Sequence, residues 1–215
     1  MKNTNHSTSG FTLTELLVSI SIIGTLLGIL LPVLAIAKAK ANRIKCVNNV
    51  SHVGKALLAF AADNNGRMPW QLTPFAKTAH FGSHDPFSTT AIVSLLAMKS
   101  ELGTAKILAS PCDAEAQGPN EAAQAMWASY DARQGRNISC PAVSYRFIEG
   151  GNTGRPGTML AMLRNFSTDD LATGTLVGAD EEKSHSSAVT GLKKGQGQAV
   201  FADGSARQIN NQVIK

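Results

Sequence analysis

Charge is scarce in this sequence and nearly missing from one stretch of it. Only 16% of the 215 residues are Asp, Glu, Lys or Arg, and between residues 11 and 37 the single ionisable side chain is Glu15. Aromatic residues make up 6%, partly because that same stretch is aliphatic. The protein therefore has no interleaved basic and aromatic set of the kind that binds nucleic acid, and no nucleic-acid partner is expected. It has no internal repeat. It has no G-x-S-x-G elbow to present a serine nucleophile. Lys194-Gly195-Gln196-Gly197 is too short for a phosphate loop and lacks its Gly-Lys-Ser/Thr ending, so it reads as a turn. These absences remove the usual signatures of an enzyme and of a resident cofactor or metal, and none is expected.

What is present begins with length. A helix over residues 16–37 is about 33 Å long at 1.5 Å rise per residue, enough to cross a bilayer. A carboxylate at the edge of such a run costs free energy, and such residues usually have a partner or a function. Just ahead of the run lies Ser9-Gly10-Phe11-Thr12-Leu13-Thr14-Glu15. The string GFTLTELL, followed at once by an uncharged apolar segment, resembles the processing site of type IV prepilins and type II secretion pseudopilins.

That resemblance implies a series of roles. A prepilin peptidase would cut between Gly10 and Phe11 and methylate the new amino terminus. Residues 1–10 would be the leader, 11–62 a stem helix with 11–37 in the membrane, and 63–215 a globular head. Glu15 would pair with the Phe11 amine of a neighbouring subunit, since two charges each costly alone in a low-dielectric bundle become tolerable together. Pro32 matches a proline common in such stems, where it can kink the helix. The implied function is a structural subunit of a pilus-like or pseudopilus filament. Its partners would be the peptidase, other subunits through the stem, and the lipid bilayer. It would sit single-pass in the bacterial cytoplasmic membrane with its head on the extracytoplasmic side. The alternative is a membrane-anchored or secreted binding domain that does not polymerise.

Two features pull against this reading. The net charge is +5 and the pI about 9.2, and much of the excess is local, at Lys38, Lys40, Arg43 and Lys45. The positive-inside rule taken alone would hold that side in the cytoplasm; the multi-residue motif argues the opposite, and the basic collar then faces headgroups or water. Ala35-Ile36-Ala37 also fits an ordinary signal-peptidase site. The apolar run, however, exceeds a normal signal core, and such a site leaves Glu15 unexplained.

Beyond Pro32 the apolar positions 34, 37, 41, 44, 47, 50, 53, 57 and 61 recur at steps of three and four, a helical stripe that faces a partner. Gly24 and Gly28 form a GxxxG-like pair, open between close stem packing and ordinary glycine tolerance. Asp63-Asn64-Asn65-Gly66 with Pro69 beyond it ends the helix. Past that point an α+β head with a small antiparallel sheet is expected, with helices at 88–98 and 120–130. Strands are expected at 106–110, 143–148, 158–163 and 175–179. A two-residue hairpin would join 198–202 to 205–209 through Asp203-Gly204, a structural turn because Asp-Gly suits the positive φ of such a loop.

A second resemblance touches both ends of the sequence. Cys46-Val47-Asn48-Asn49-Val50, then Gly54, Ala56-Leu57, Asn65-Gly66 and Pro69, are similar to the lower stem of a pilin-like family abundant in planctomycetes and verrucomicrobia. That family has a C-P-S-D segment midway and a C-terminal H-x9-D-G signature. Here Pro111-Cys112-Asp113 and Ser139-Cys140-Pro141 match the first in part. Val200-Phe201-Ala202-Asp203-Gly204-Ser205 matches the D-G half, but Lys193 stands where the histidine would be and the nearest upstream histidine is His185.

Some side chains remain open to two readings. His80, His84 and Asp85 have metal-like spacing, although Gly82 and Pro86 favour a solvated loop. Some secretion pseudopilins bind calcium in a C-terminal loop, and Asp169-Asp170 with Asp180-Glu181-Glu182 would supply hard oxygens, without an EF-hand loop. Cys112 and Cys140 either pair as a disulfide in an oxidising compartment or stay as thiols. Cys46 reads as a small packing residue in the stem.

Overall fold

The computed structural model describes residues 11–81, 102–113, 116, 142–167, 174–178 and 192–214. The helices expected at 88–98 and 120–130 fall outside them, as do His84, Asp85, His185, Cys140 and the acidic clusters at 169–170 and 180–182. The described residues form an α+β fold with a long N-terminal helix and a four-stranded antiparallel sheet. They divide into two compact units, Met1–Lys40 and Ala41–Lys215.

Helix α1 spans Leu13–Asp63. Its stop follows from Asp63-Asn64-Asn65-Gly66. Asn65 and Gly66 both take positive φ, at 56° and 77°. The Gly66 N–H donates to the Ala61 carbonyl at 2.7 Å, and the Asn64 amide donates to the Phe60 carbonyl at 2.9 Å. The last carbonyls are thereby satisfied, and Asn and Gly are the residues that adopt the left-handed conformation at least cost.

The second unit begins at Ala41 rather than at residue 63 because the lower part of α1 supplies its core. Cys46, Val50, Val53, Ala56, Leu57, Phe60 and Ala61 are all buried. From Val50 onward the expected stripe is the buried face. Before it the phase differs: Ile44 is 64% exposed and Cys46, rather than Val47, is fully buried.

The sheet is a meander in the order β1 (Tyr145–Phe147), β2 (Met159–Leu163), β3 (Gln196–Phe201) and β4 (Ala206–Asn210). Ala161 pairs with Val200 and Met162 with Ala199. Alternation then sends Ala161 and Val200 to the cluster that holds α1, and Met162 and Ala199 to a second cluster with Phe166, Leu176, Phe201 and Ile209. An irregularity between Met159 and Ala161 lets Leu160 join the α1 side as well.

Two strand expectations do not hold. Residues 106–110 are not a strand: a 3-10 helix runs Ala105–Leu108, capped by Thr104 Oγ1 accepting from the Lys106 N–H at 3.4 Å. It buries Ala105 and Leu108, one turn apart. Of residues 175–178, the described part of the range 175–179, Leu176 forms only an isolated bridge with Phe166. The turn after β3 also differs from expectation. Gly204 N–H donates to the Phe201 carbonyl and Phe201 N–H to the Ser205 carbonyl, both at 2.9 Å. Three residues, 202 to 204, therefore form the loop, and only Gly204 (φ 80°) is left-handed. This is a three-residue hairpin with a glycine bulge, not a two-residue turn.

Helix and sheet meet most closely at Gly54, where an added Cβ would collide with both γ-methyls of Val200. Around this contact the segment Ser110-Pro111-Cys112-Asp113 is fastened to the sheet. Asp113 is fully buried and its Oδ2 accepts from Arg164 Nε at 2.7 Å, and Ser110 N–H donates to Ser144 Oγ at 2.9 Å. The Trp70 indole N–H donates to the Gly151 carbonyl at 3.0 Å and ties the segment after α1 to the loop before β2.

Gly54→Leu should lower the stability of the head by about 1–3 kcal/mol or more, the usual cost of overpacking a filled core. Thermal melts of the full-length protein in detergent check this. Gly54→Ala is the milder control, because even one methyl meets Val200. Asp113→Asn should cost about 1.5–3 kcal/mol, since it removes the charge from a buried hydrogen bond to the Arg164 guanidinium.

Candidate functional site

The start of α1 is built by a reciprocal cap, which gives Glu15 a local partner that its isolation in the sequence does not suggest. Thr12 is the N-cap: its carbonyl accepts the first helical bond, from Leu16 N–H at 3.2 Å. Thr12 Oγ1 accepts from Glu15 N–H at 3.3 Å, and Glu15 Oε2 accepts from both the Thr12 N–H and the Thr12 hydroxyl at 2.8 Å. A threonine followed three residues later by a glutamate satisfies two donors at a helix start in this way. The signal is present in the sequence as Thr12-x-x-Glu15. All of these bonds to the carboxylate fall on Oε2; Oε1 takes none among the described residues.

The helix that follows is apolar around its whole circumference. Every side chain from residue 11 through residue 38 is exposed, including Phe11 at 77%. Mean hydropathy reaches 2.5 in its most apolar window, long and apolar enough to cross a membrane. The polar atoms within it are satisfied internally: Ser19 Oγ donates to the Glu15 carbonyl at 2.7 Å, Ser21 Oγ to Leu17 and Thr25 Oγ1 to Ile22, each at 2.8 Å. A helix in lipid needs that economy, because no water is present to pair a hydroxyl. The helix continues through Pro32, whose ring removes the bond to the Gly28 carbonyl. A Cβ at Gly24 or Gly28 would meet nothing within 4 Å.

The remaining candidate residues sit in the second unit. His80 lies on helix α2 (Pro74–Phe81), not in a loop; its Nε2 is 3.3 Å from Asn64 Oδ1 and its ring stands edge-on to Phe60 at 5.3 Å. No group of three metal-ligating side chains occurs among the described residues. Lys193-to-Gln196 is a turn, with Gly195 at φ 73° and Gln196 N–H donating to the Lys193 carbonyl at 3.1 Å. Asp203 is exposed, and its Oδ1 accepts from Ser205 N–H at 2.8 Å. Hydrogen bonding from Ser205 holds its carboxyl below the ordinary range. Cys112 is a free, buried thiol, and the cysteine beside it among the described residues is Cys46; Cys140 lies outside the described residues.

Residues 5–31 match the family model described as the prokaryotic N-terminal methylation motif. The motif points to a type IV pilin-like or pseudopilin-like protein, and with the apolar helix it fits a membrane-anchored, single-pass protein. No curated protein and no solved structure matches the sequence. The match ends at residue 31, so the resemblance at Val200 to Ser205 rests on those residues alone.

Gly204→Val should destabilise the head by about 1–3 kcal/mol, because a β-branched residue is strained at positive φ. Asp203→Asn should be near neutral, since an Asn side chain accepts the same Ser205 hydrogen bond. Melts of the full-length variants with and without calcium check both. A calcium-dependent stabilisation that disappears in Asp203→Asn would make this corner a binding site instead of a turn.

Proposed function

We propose that the protein is a structural subunit of a type IV pilus-like or type II secretion pseudopilus filament, and not an enzyme. Prepilin peptidase cuts the Gly10–Phe11 bond and methylates the freed amine, which keeps its positive charge. The apolar helix holds the subunit in the cytoplasmic membrane and then in the filament bundle, with the head extracytoplasmic. Glu15 pairs with the Phe11 amine of a neighbour. The observation that carries this reading is the methylation motif at residues 5–31 joined to a helix whose first carboxylate is exposed and has one oxygen unused among the described residues.

The capping box gives the rival reading a specific footing. Glu15 has a local task even in a protein that is only anchored and never polymerises. Two substitutions separate the readings. Glu15→Gln keeps an oxygen that can accept the Thr12 bonds but carries no charge; Glu15→Ala loses both. In a filament that depends on ion pairing, both variants should fail to assemble or assemble poorly. Removing one partner of a buried pair costs about 3–5 kcal/mol, against about 1 kcal/mol for a lost cap. Filament yield by sedimentation and microscopy decides. Normal assembly of Glu15→Gln would leave Glu15 as a cap alone.

The processing step has its own test. N-terminal sequencing and mass measurement of the mature protein should show a methylated Phe11. A mature form beginning at Lys38 would mean release by signal peptidase and would end the filament reading.

A further inference from the structure

Two cysteines that lie far apart in sequence come together in the middle of the head. Cys46, on α1, and Cys112, in the segment after the 3-10 helix, are both fully buried and both free thiols. The two thiols are near enough to shift one another's proton affinity. Ser110 holds the pair from one side: its Oγ lies 2.8 Å from Cys46 Sγ and accepts from the Cys112 N–H at 3.2 Å. Gln198, also fully buried, lies against Cys112 from β3. The carboxylate of Asp113, the acidic residue next to Cys112, is engaged by Arg164, and among the described residues no three-ligand metal group includes these sulfurs.

We propose that Cys46 and Cys112 form a disulfide in the mature protein, binding helix α1 covalently to the Pro111-Cys112-Asp113 segment and through the Asp113–Arg164 pair to the end of β2. The oxidising surroundings come from the extracytoplasmic head proposed above, and the inference rests on that placement for its setting, though not for its geometry. Disulfides persist outside the cytoplasm and not within it. The oxidant is a second, external disulfide, protein-borne or small, acting by thiol–disulfide exchange. One Cys sulfur, as thiolate, attacks a sulfur of the external disulfide, giving a mixed disulfide and releasing one thiol. The other Cys sulfur then displaces the second thiol and closes the Cys46–Cys112 bond. The two cysteines lose two electrons and two protons; the external disulfide gains both and leaves as two thiols.

Burial sets the order of events. With both sulfurs inaccessible in the closed head, the exchange occurs while α1 and the Ser110-to-Asp113 segment are still docking. Contact with the Cys46 sulfur, together with burial, raises the Cys112 thiol above its ordinary value in the closed head, which is a further reason for exchange to precede closure. The bond crosses from the stem to the head, so it constrains a long segment of the unfolded polypeptide, the case in which a crosslink stabilises most.

The test uses the full-length protein in detergent, refolded in a glutathione redox buffer, alkylated after denaturation without reductant, and mapped by mass spectrometry. The expected product is a Cys46 peptide joined to a Cys112 peptide, with Cys140 alkylated. Reductant should lower the melting temperature of the oxidised protein by on the order of 10 °C. Cys46→Ser and Cys112→Ser should each show that loss without reductant, and Cys140→Ser should not. If the serine variants fail to fold, the peptide map of the unaltered protein still decides. Alkylation of both Cys46 and Cys112 after oxidative refolding, or a Cys112–Cys140 link, overturns the pairing. Protein isolated from cells separates the two readings. A pair that arrives from the cell as thiols overturns the disulfide of the mature protein even where it links on refolding, and a mature Phe11 terminus in the same sample would leave the filament reading standing.

Discussion

At Gly54 helix α1 lies against Val200 with no room for even a methyl group between them, and the order of the head follows from that contact. A helix can approach a sheet so closely only where it lacks a side chain, and the approach brings Val50, Val53 and Leu57 into the same layer as Leu160, Ala161 and Val200. Glycine inside a helix costs about 1 kcal/mol relative to alanine, and the burial made possible on either side of it offsets that cost. Because the lower part of α1 belongs to this core, the head is not a domain that begins where the helix ends. A fragment starting at residue 63 would lack Cys46, Val50, Val53, Gly54, Leu57 and Phe60, all of them buried.

Much of this was legible because it rests on short-range chemistry. The helix stop at Asp63 to Gly66 depends on residues that accept left-handed backbone, and the structure places them there. Strands β1 to β4 lie within or close to the ranges expected from alternation and turn residues. What was not legible depends on pairing at a distance. Residues 106–110 have strand-like composition, but Thr104 caps a 3-10 turn there that takes up residues 105–108. The Asp203-Gly204 turn is one residue longer than expected, because the same dipeptide serves both a two-residue turn and the last two positions of a three-residue loop. Which one forms is set by the register that Val200 and Ala206 impose. Cys46 is 66 residues from Cys112 in sequence, and only the packing of α1 shows that the two lie together.

The N-terminal segment shows how one carboxylate can hold two tasks without conflict. In the single subunit Glu15 closes a reciprocal cap with Thr12, which fixes the first turn of a helix whose remaining length is apolar. The cap answers a problem of the isolated subunit, since the first N–H groups of a helix are otherwise left without partners. It uses one carboxylate oxygen. An amine arriving from a neighbour can be met by the other, so the local bond can orient the carboxylate for the intermolecular one. The cap thus weakens any claim that Glu15 exists only for assembly, and at the same time supplies the geometry that assembly would use.

The head's polar interior makes sense in the same terms. Ser110, Asp113, Ser144 and Asn165 are buried together with an aliphatic core, and buried polar groups are tolerated when their partners are fixed; Gln198 is buried too, and its side-chain amide has no hydrogen-bond partner among the described residues. Asp113 takes Arg164, Ser110 takes Ser144, and Asn165 donates to the Val177 and Gln196 carbonyls at 2.9 Å each. Each of these bonds joins segments that no regular ladder connects: the Ser110-to-Asp113 strip to β1 and β2, and the Leu176 bridge to β3. A sheet of four short strands has little area with which to hold such segments by apolar contact alone. Directional bonds hold them here, and the two thiols lie where the strip meets α1, beside the Ser110 hydroxyl that touches both cysteines.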